Sequence, residues 1–115
     1  MKKNIIEEKS FGFALLVIQL YQKLIKEKEY VLSKQLLKSA TSIGANIQEA
    51  QAAQSKKDFI SKMSISSKEA RESLYWIRLL EASKLIAYDY NQLKLEASEI
   101  IKILTAIVKS SRHNS

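Results

Sequence analysis

Between residues 11 and 25 the chain carries Phe11, Phe13, Leu15, Leu16, Val17, Ile18, Leu20, Leu24 and Ile25. Wound at 3.6 residues per turn, these side chains fill more than one stripe of a helix. The pattern predicts a first helix over residues 8–28, with Ser10 as an early cap, touched on two sides and therefore prone to self-association. A narrower stripe follows, in which Leu36, Ala40, Ile43, Ile47, Ala50 and Gln54 recur at steps of four and three. It predicts a second helix over 33–54, with Ser33 as N-cap and a single buried face. Ser55-Lys56-Lys57-Asp58 has the form of a capping box and opens a third helix over 56–82. Its core side is Phe59, Met63, Ser66, Ala70, Ser73, Ile77 and Leu80. Asp89 and Gln92 repeat the capping pattern before a fourth helix over 89–110, which carries Leu93, Ala97, Ile100, Ile101, Leu104, Ile107 and Val108; the polar tail 111–115 is expected to fray.

Four helices of about 20 residues, each about 30 Å long and joined by short connections, bury four stripes most simply as an antiparallel up-down bundle. With 115 residues and 46% hydrophobic content, the chain suits one domain, residues 1–115. Proline is absent and Gly12 and Gly44 are the two glycines, so the vocabulary is all-α. Without cysteine there is no disulfide and no thiolate metal site. Lys2 and Lys3 precede the apolar run Phe11–Ile18 in the manner of a signal peptide, but Glu7, Glu8 and Lys9 interrupt the approach and Gln19 ends the run. That run is far short of the roughly 20 residues a membrane span needs, so it reads as core, with a cytoplasmic location and no membrane partner.

Charge alters the picture. Nineteen Lys and Arg against twelve Asp and Glu give a net charge of +7, which favours a polyanionic partner and equally serves solubility. Projected at about 100° per residue, Lys57, Lys68, Arg71, Tyr75 and Arg78 fall within about 60° of one line on the third helix, together with Ser61 and Ser64. Such a row can track phosphates, with Tyr75 stacking on a base, or it can be an ordinary solvated face. The pairs Lys34 with Lys38 and Lys23 with Lys26 rank second. On the second helix, Ser39, Ser42, Asn46, Glu49 and Ala53 flank the apolar stripe. Gly44 sits on the opposite shoulder, where a missing Cβ costs about 1 kcal/mol of helix propensity and admits another backbone. Asn46 and Glu49 form either a polar clamp to a neighbouring helix or a solvated pair.

Catalytic chemistry finds little support. Glu69 and Glu72 are paired carboxylates, but a di-iron bundle needs inward Glu-x-x-His motifs and the lone histidine, His113, lies in the tail. Salt bridging is the expected role, Glu72 to Lys68 and Glu69 to a cation across a subunit boundary, with Trp76 packing beside Ile65 or offering a stacking platform. No hydroxyl has a histidine base and no Gly-rich phosphate loop is present, so neither catalytic residues, metal nor cofactor are expected.

The run from Gln35 to Ser83 resembles the 23S rRNA intervening-sequence proteins. Their hallmark is a segment S-I-x-x-N-I-x-E-A/G, then an acid-Phe pair and a later E-x-x-E-(x)3-W. Here these elements fall on Ser42, Ile43, Asn46, Ile47, Glu49, Ala50, Asp58, Phe59, Glu69, Glu72 and Trp76, and Lys9 to Phe11 fits the family opening. The resemblance implies an up-down four-helix bundle assembling as a ring-like homo-oligomer, typically a pentamer. It also implies kinship with products of insertions in large-subunit rRNA genes and with nucleic-acid-binding accessory factors of reverse transcriptases. One departure is Lys84, where many relatives place glycine at the exit of the third helix. Taken together, the chain reads as a non-enzymatic homo-oligomer that binds RNA or DNA through a basic exterior. The alternative is a scaffold or accessory factor that binds a protein partner without nucleic-acid specificity.

Overall fold

A computed structural model describes residues 4–114; Lys2, Lys3 and Ser115 lie outside them. Four helices make up the fold: α1 (Ile5–Lys26), α2 (Leu32–Gln51), α3 (Lys56–Ser83) and α4 (Asn91–His113). No strand occurs among the described residues.

Capping chemistry sets the helix ends, and in three places it differs from the sequence expectation. α1 starts at Asn4, whose Oδ1 accepts the Glu7 N–H at 3.3 Å. Ser10 does not cap; it is buried within the helix and donates to the Glu7 carbonyl. At α2 the cap is Glu29 rather than Ser33. The Glu29 carboxylate accepts the N–H groups of Leu32 at 2.7 Å and Ser33 at 2.8 Å, while Ser33 Oγ donates back to the Glu29 carbonyl. Burial would raise the Glu29 carboxyl, but these N–H groups of Ser33 and Leu32 outweigh it and hold the group below the usual carboxylate range. α2 ends at Gln51, so Gln54 lies exposed beyond the helix and outside its stripe.

At α3 the serine does cap, Ser55 Oγ accepting the Asp58 N–H at 3.0 Å. The helix stops at Lys84, which adopts the left-handed conformation (φ 56°, ψ 31°) that a glycine would hold without strain. Asp89 closes a local turn onto the Asn91 N–H at 3.0 Å instead of capping α4. α4 continues through residues 111–113, which were expected to fray.

Each helix packs on two others: α1 on α2 and α4, α3 on α2 and α4. α1 and α3 do not meet, so they occupy diagonal corners of a four-helix bundle. The core holds Phe13, Val17, Leu20 and Leu24 of α1, Leu36, Ile43 and Ile47 of α2, Met63, Ile77 and Leu80 of α3, and Leu93, Ile100 and Leu104 of α4. Phe59 is only half-buried.

Small residues let the helices approach. Ser39 and Ser73 share a hydrogen bond of 2.8 Å across α2 and α3, and Ser66 donates to the Ile43 carbonyl at 2.8 Å. Both contacts satisfy buried hydroxyls. At Gly44 a Cβ would stand 3.3 Å from Ser10 Oγ, so the glycine admits α1. The second apolar side of α1 remains uncovered, with Phe11, Leu15 and Ile18 exposed at 68%, 48% and 38%. No helix is long and apolar enough to cross a membrane.

Candidate nucleic-acid interface

Because α3 buries Met63, Ala70, Ser73 and Ile77 against its neighbours, the opposite face points to water, and Lys57, Lys68, Arg71, Tyr75 and Arg78 are all exposed there. Lys57, Lys68 and Arg78 enter no salt bridge among the described residues. Of the acids nearby, Glu49 pairs with Lys62 at 3.0 Å and Glu81 with Lys94 at 2.8 Å, while Lys68 is within electrostatic reach of Glu69. Arg71 donates from Nη2 to Thr105 Oγ1 at 3.1 Å, a neutral partner that leaves its charge uncompensated. Tyr75 meets Trp76 edge to face, ring centroids 5.1 Å apart, and is 56% exposed. Lys23, Lys26, Lys34 and Lys38 are also exposed, and Lys38 lies within electrostatic reach of Glu69 on α3.

The polar residues of the α2 and α3 signature make contacts within the chain. Asn46 donates to the Ser42 carbonyl of its own helix at 2.8 Å, and Ser42 in turn to the Lys38 carbonyl. Glu49 bridges α2 to α3 through Lys62. Glu72 does not pair with Lys68: its Oε2 accepts the Trp76 indole N–H at 3.1 Å, since a half-buried indole one turn ahead needs an acceptor. Glu69 is pushed above the usual carboxylate range by burial and by the charge of Glu72, with Lys38 and Lys68 opposing.

A second cationic row was missed. Thr105, Lys109 and Arg112 recur on α4 at steps of four and three, and with His113 they face Ser64, Ser67 and Arg71 of α3 across an open cleft of about 450 Å³. Among the described residues, no Asp or Glu lines it. The spacing on α4 was a usable signal, but His113 was set aside as tail and the row gains meaning only opposite Arg71. Among the described residues, no three His, Asp or Glu side chains converge as a metal site would require.

The sequence model of the family described as "23S rRNA-intervening sequence protein" matches residues 2–106. The chain belongs to this family. Among solved structures, this chain is similar to a protein of unknown function from the S23 ribosomal protein family of Bacteroides thetaiotaomicron VPI-5482. The two share 45% identity over 90% of this chain and 98% of the other, with a TM-score of 0.87. No curated protein matches.

Proposed function

We propose that this chain is a non-enzymatic, cytoplasmic, antiparallel up-down bundle that assembles as a ring-like homo-oligomer, a pentamer by family resemblance, and binds RNA or DNA along α3. The observation that carries the reading is the row Lys57, Lys68 and Arg78: exposed, on one face, and in no salt bridge, while Glu49 and Glu81 are occupied elsewhere. Electrostatic binding of this kind is steeply salt-dependent and weakly sequence-specific. Assembly is supported by the uncovered row Phe11, Leu15 and Ile18, and identical ridges repeated around an axis would raise avidity for a long strand.

Filter binding of RNA and DNA over a salt series tests the reading. Retention falls steeply with salt and is lost on charge reversal of Lys57, Lys68, Arg71 and Arg78; absence of retention at low salt contradicts it. Light scattering on a size-exclusion column gives a mass several times 13.1 kDa, and a monomer at micromolar concentration contradicts assembly. The same apolar row of α1 favours a second reading, a scaffold or accessory factor for a protein partner such as a reverse transcriptase, which those two results together would separate from the first.

A further inference from the structure

We infer that the cleft between α3 and the last three turns of α4 is a phosphate-binding site, taking a phosphate group carried on a nucleic-acid strand. This rests on the reading of the chain as a nucleic-acid binder and gives that reading a definite pocket. Arg71 belongs to both the α3 ridge and the cleft, so a strand tracked along the ridge is delivered there.

The donor set fits the chemistry. Arg71 is held by Thr105 through one nitrogen, at 3.1 Å, which fixes the guanidinium plane and leaves its other N–H groups for a phosphate oxygen. Lys109 and His113 add further cationic or polar donors from α4, and Ser67 adds a hydroxyl from α3. No Asp or Glu lies among the described lining residues, whereas the hollow beside Arg78 and Lys94 includes Glu81.

Ser64 supplies an independent sign. Several helical serines donate back to a carbonyl one turn earlier, as Ser73 does to Glu69 and Ser42 to Lys38, and buried Ser66 donates to Ile43 instead. Ser64 Oγ makes no such bond and is buried without a partner in the cleft wall. An unsatisfied buried hydroxyl is costly, and rotation of the Ser64 side chain toward an oxyanion in the cleft would satisfy it. The bland account is that Arg112 and His113 simply offset the partial negative charge at the C-terminus of α4. That account covers neither Lys109 nor Arg71, nor the orphan hydroxyl.

The test uses the full chain and amide NMR, with inorganic phosphate, a 5′-phosphorylated tetraribonucleotide and its 5′-hydroxyl counterpart as probes. Saturable shifts at Ser64, Ser67, Thr105 and Lys109 are expected. Shifts with the phosphorylated strand alone assign the cleft to a terminal monoester; equal shifts with both strands assign it to the backbone diester. No saturable shift at these amides with any probe overturns the inference. In parallel, Thr105→Val with Lys109→Gln, both at exposed positions, weakens binding of a longer 5′-phosphorylated RNA about tenfold, the loss of one or two charge-assisted contacts. If this variant binds like the parent while neutralising Lys57, Lys68 and Arg78 abolishes binding, the cleft fails and the ridge stands. If the parent retains no RNA at low salt, the functional reading itself fails.

Discussion

On the seam between α1 and α4, Lys9 Nζ lies 3.2 Å from Glu96 and 2.7 Å from Glu99; on the seam between α3 and α4, Arg71 reaches only the hydroxyl of Thr105. Both are cations at a helix junction of the same bundle. Lys9 is enclosed by two carboxylates, and its ammonium is raised above the usual lysine range by the hydrogen bond it donates to Glu99, which outweighs burial. Arg71 and Lys109 face one another across a cleft that no Asp or Glu lines among the described residues. A bundle concerned only with its own stability would distribute its twelve acids to relieve such a cluster, since like charges held together are unfavourable. Acids pair with cations on the α1–α4 and α2–α3 seams and, through Glu81 and Lys94, beyond the other end of the α3–α4 seam, while the positive field around Arg71 is left standing.

The sharpest way to break this comparison is to change charge on each side. Charge reversal at Lys57, Lys68 and Arg78 should weaken RNA binding by about a hundredfold or more, whereas Lys9→Gln should leave it within about twofold and lower the melting temperature instead. Equal losses of binding, read by fluorescence anisotropy, would erase the distinction.

Acids that serve structure should show it in their pH dependence. Glu29→Gln is expected to cost about 1 kcal/mol near neutral pH, because a charge-assisted cap is lost. The folded-state pKa of Glu29 is depressed, so its contribution is complete above the unfolded value and disappears as pH falls through the folded one. Denaturant melts at pH 7 and in the acid range below the usual carboxylate pKa should therefore differ for the parent minus variant. A gap constant with pH would contradict the assignment.

The two glycines sharpen a smaller contrast. A Cβ at Gly12 meets nothing within 4 Å, so Gly12→Ala should stabilise the helix by about 0.5–1 kcal/mol. Gly44→Ala should gain little, since its methyl crowds Ser10 Oγ. Equal gains in chemical denaturation would deny that Gly44 admits α1. The smallest expected effect is at Glu69. Its carboxyl is raised by burial and by Glu72, so Glu69→Gln should be slightly stabilising at neutral pH, an advantage that fades as pH falls through the folded-state pKa.

Periodicity made the helices legible, because burial against neighbours is what the 3.6-residue repeat records: Leu36, Ala40, Ile43, Ile47 and Ala50 are all buried. Caps were less legible. Ser55 caps as its motif predicts, but at α2 a glutamate four residues before Ser33 reaches both free N–H groups, and a motif search for short side chains passes over it. Glu72 was assigned to Lys68 by spacing alone, whereas the indole of Trp76, at the same distance on the other side, is the partner. The cleft was beyond sequence reasoning for a similar reason. Arg71 and Thr105 lie 34 positions apart, and which faces of α3 and α4 meet depends on packing rather than on either stripe.

The central claim is that the α3 ridge is an uncompensated site for a polyanion, and the salt dependence of RNA binding tests it most directly. For a single strand, the slope of log K against log salt is about −0.7 for each phosphate neutralised. Replacing Lys57, Lys68 and Arg78 by glutamine should reduce the magnitude of that slope by about 2, with the helix content unchanged. An identical slope for parent and variant would mean that the ridge does not touch the strand.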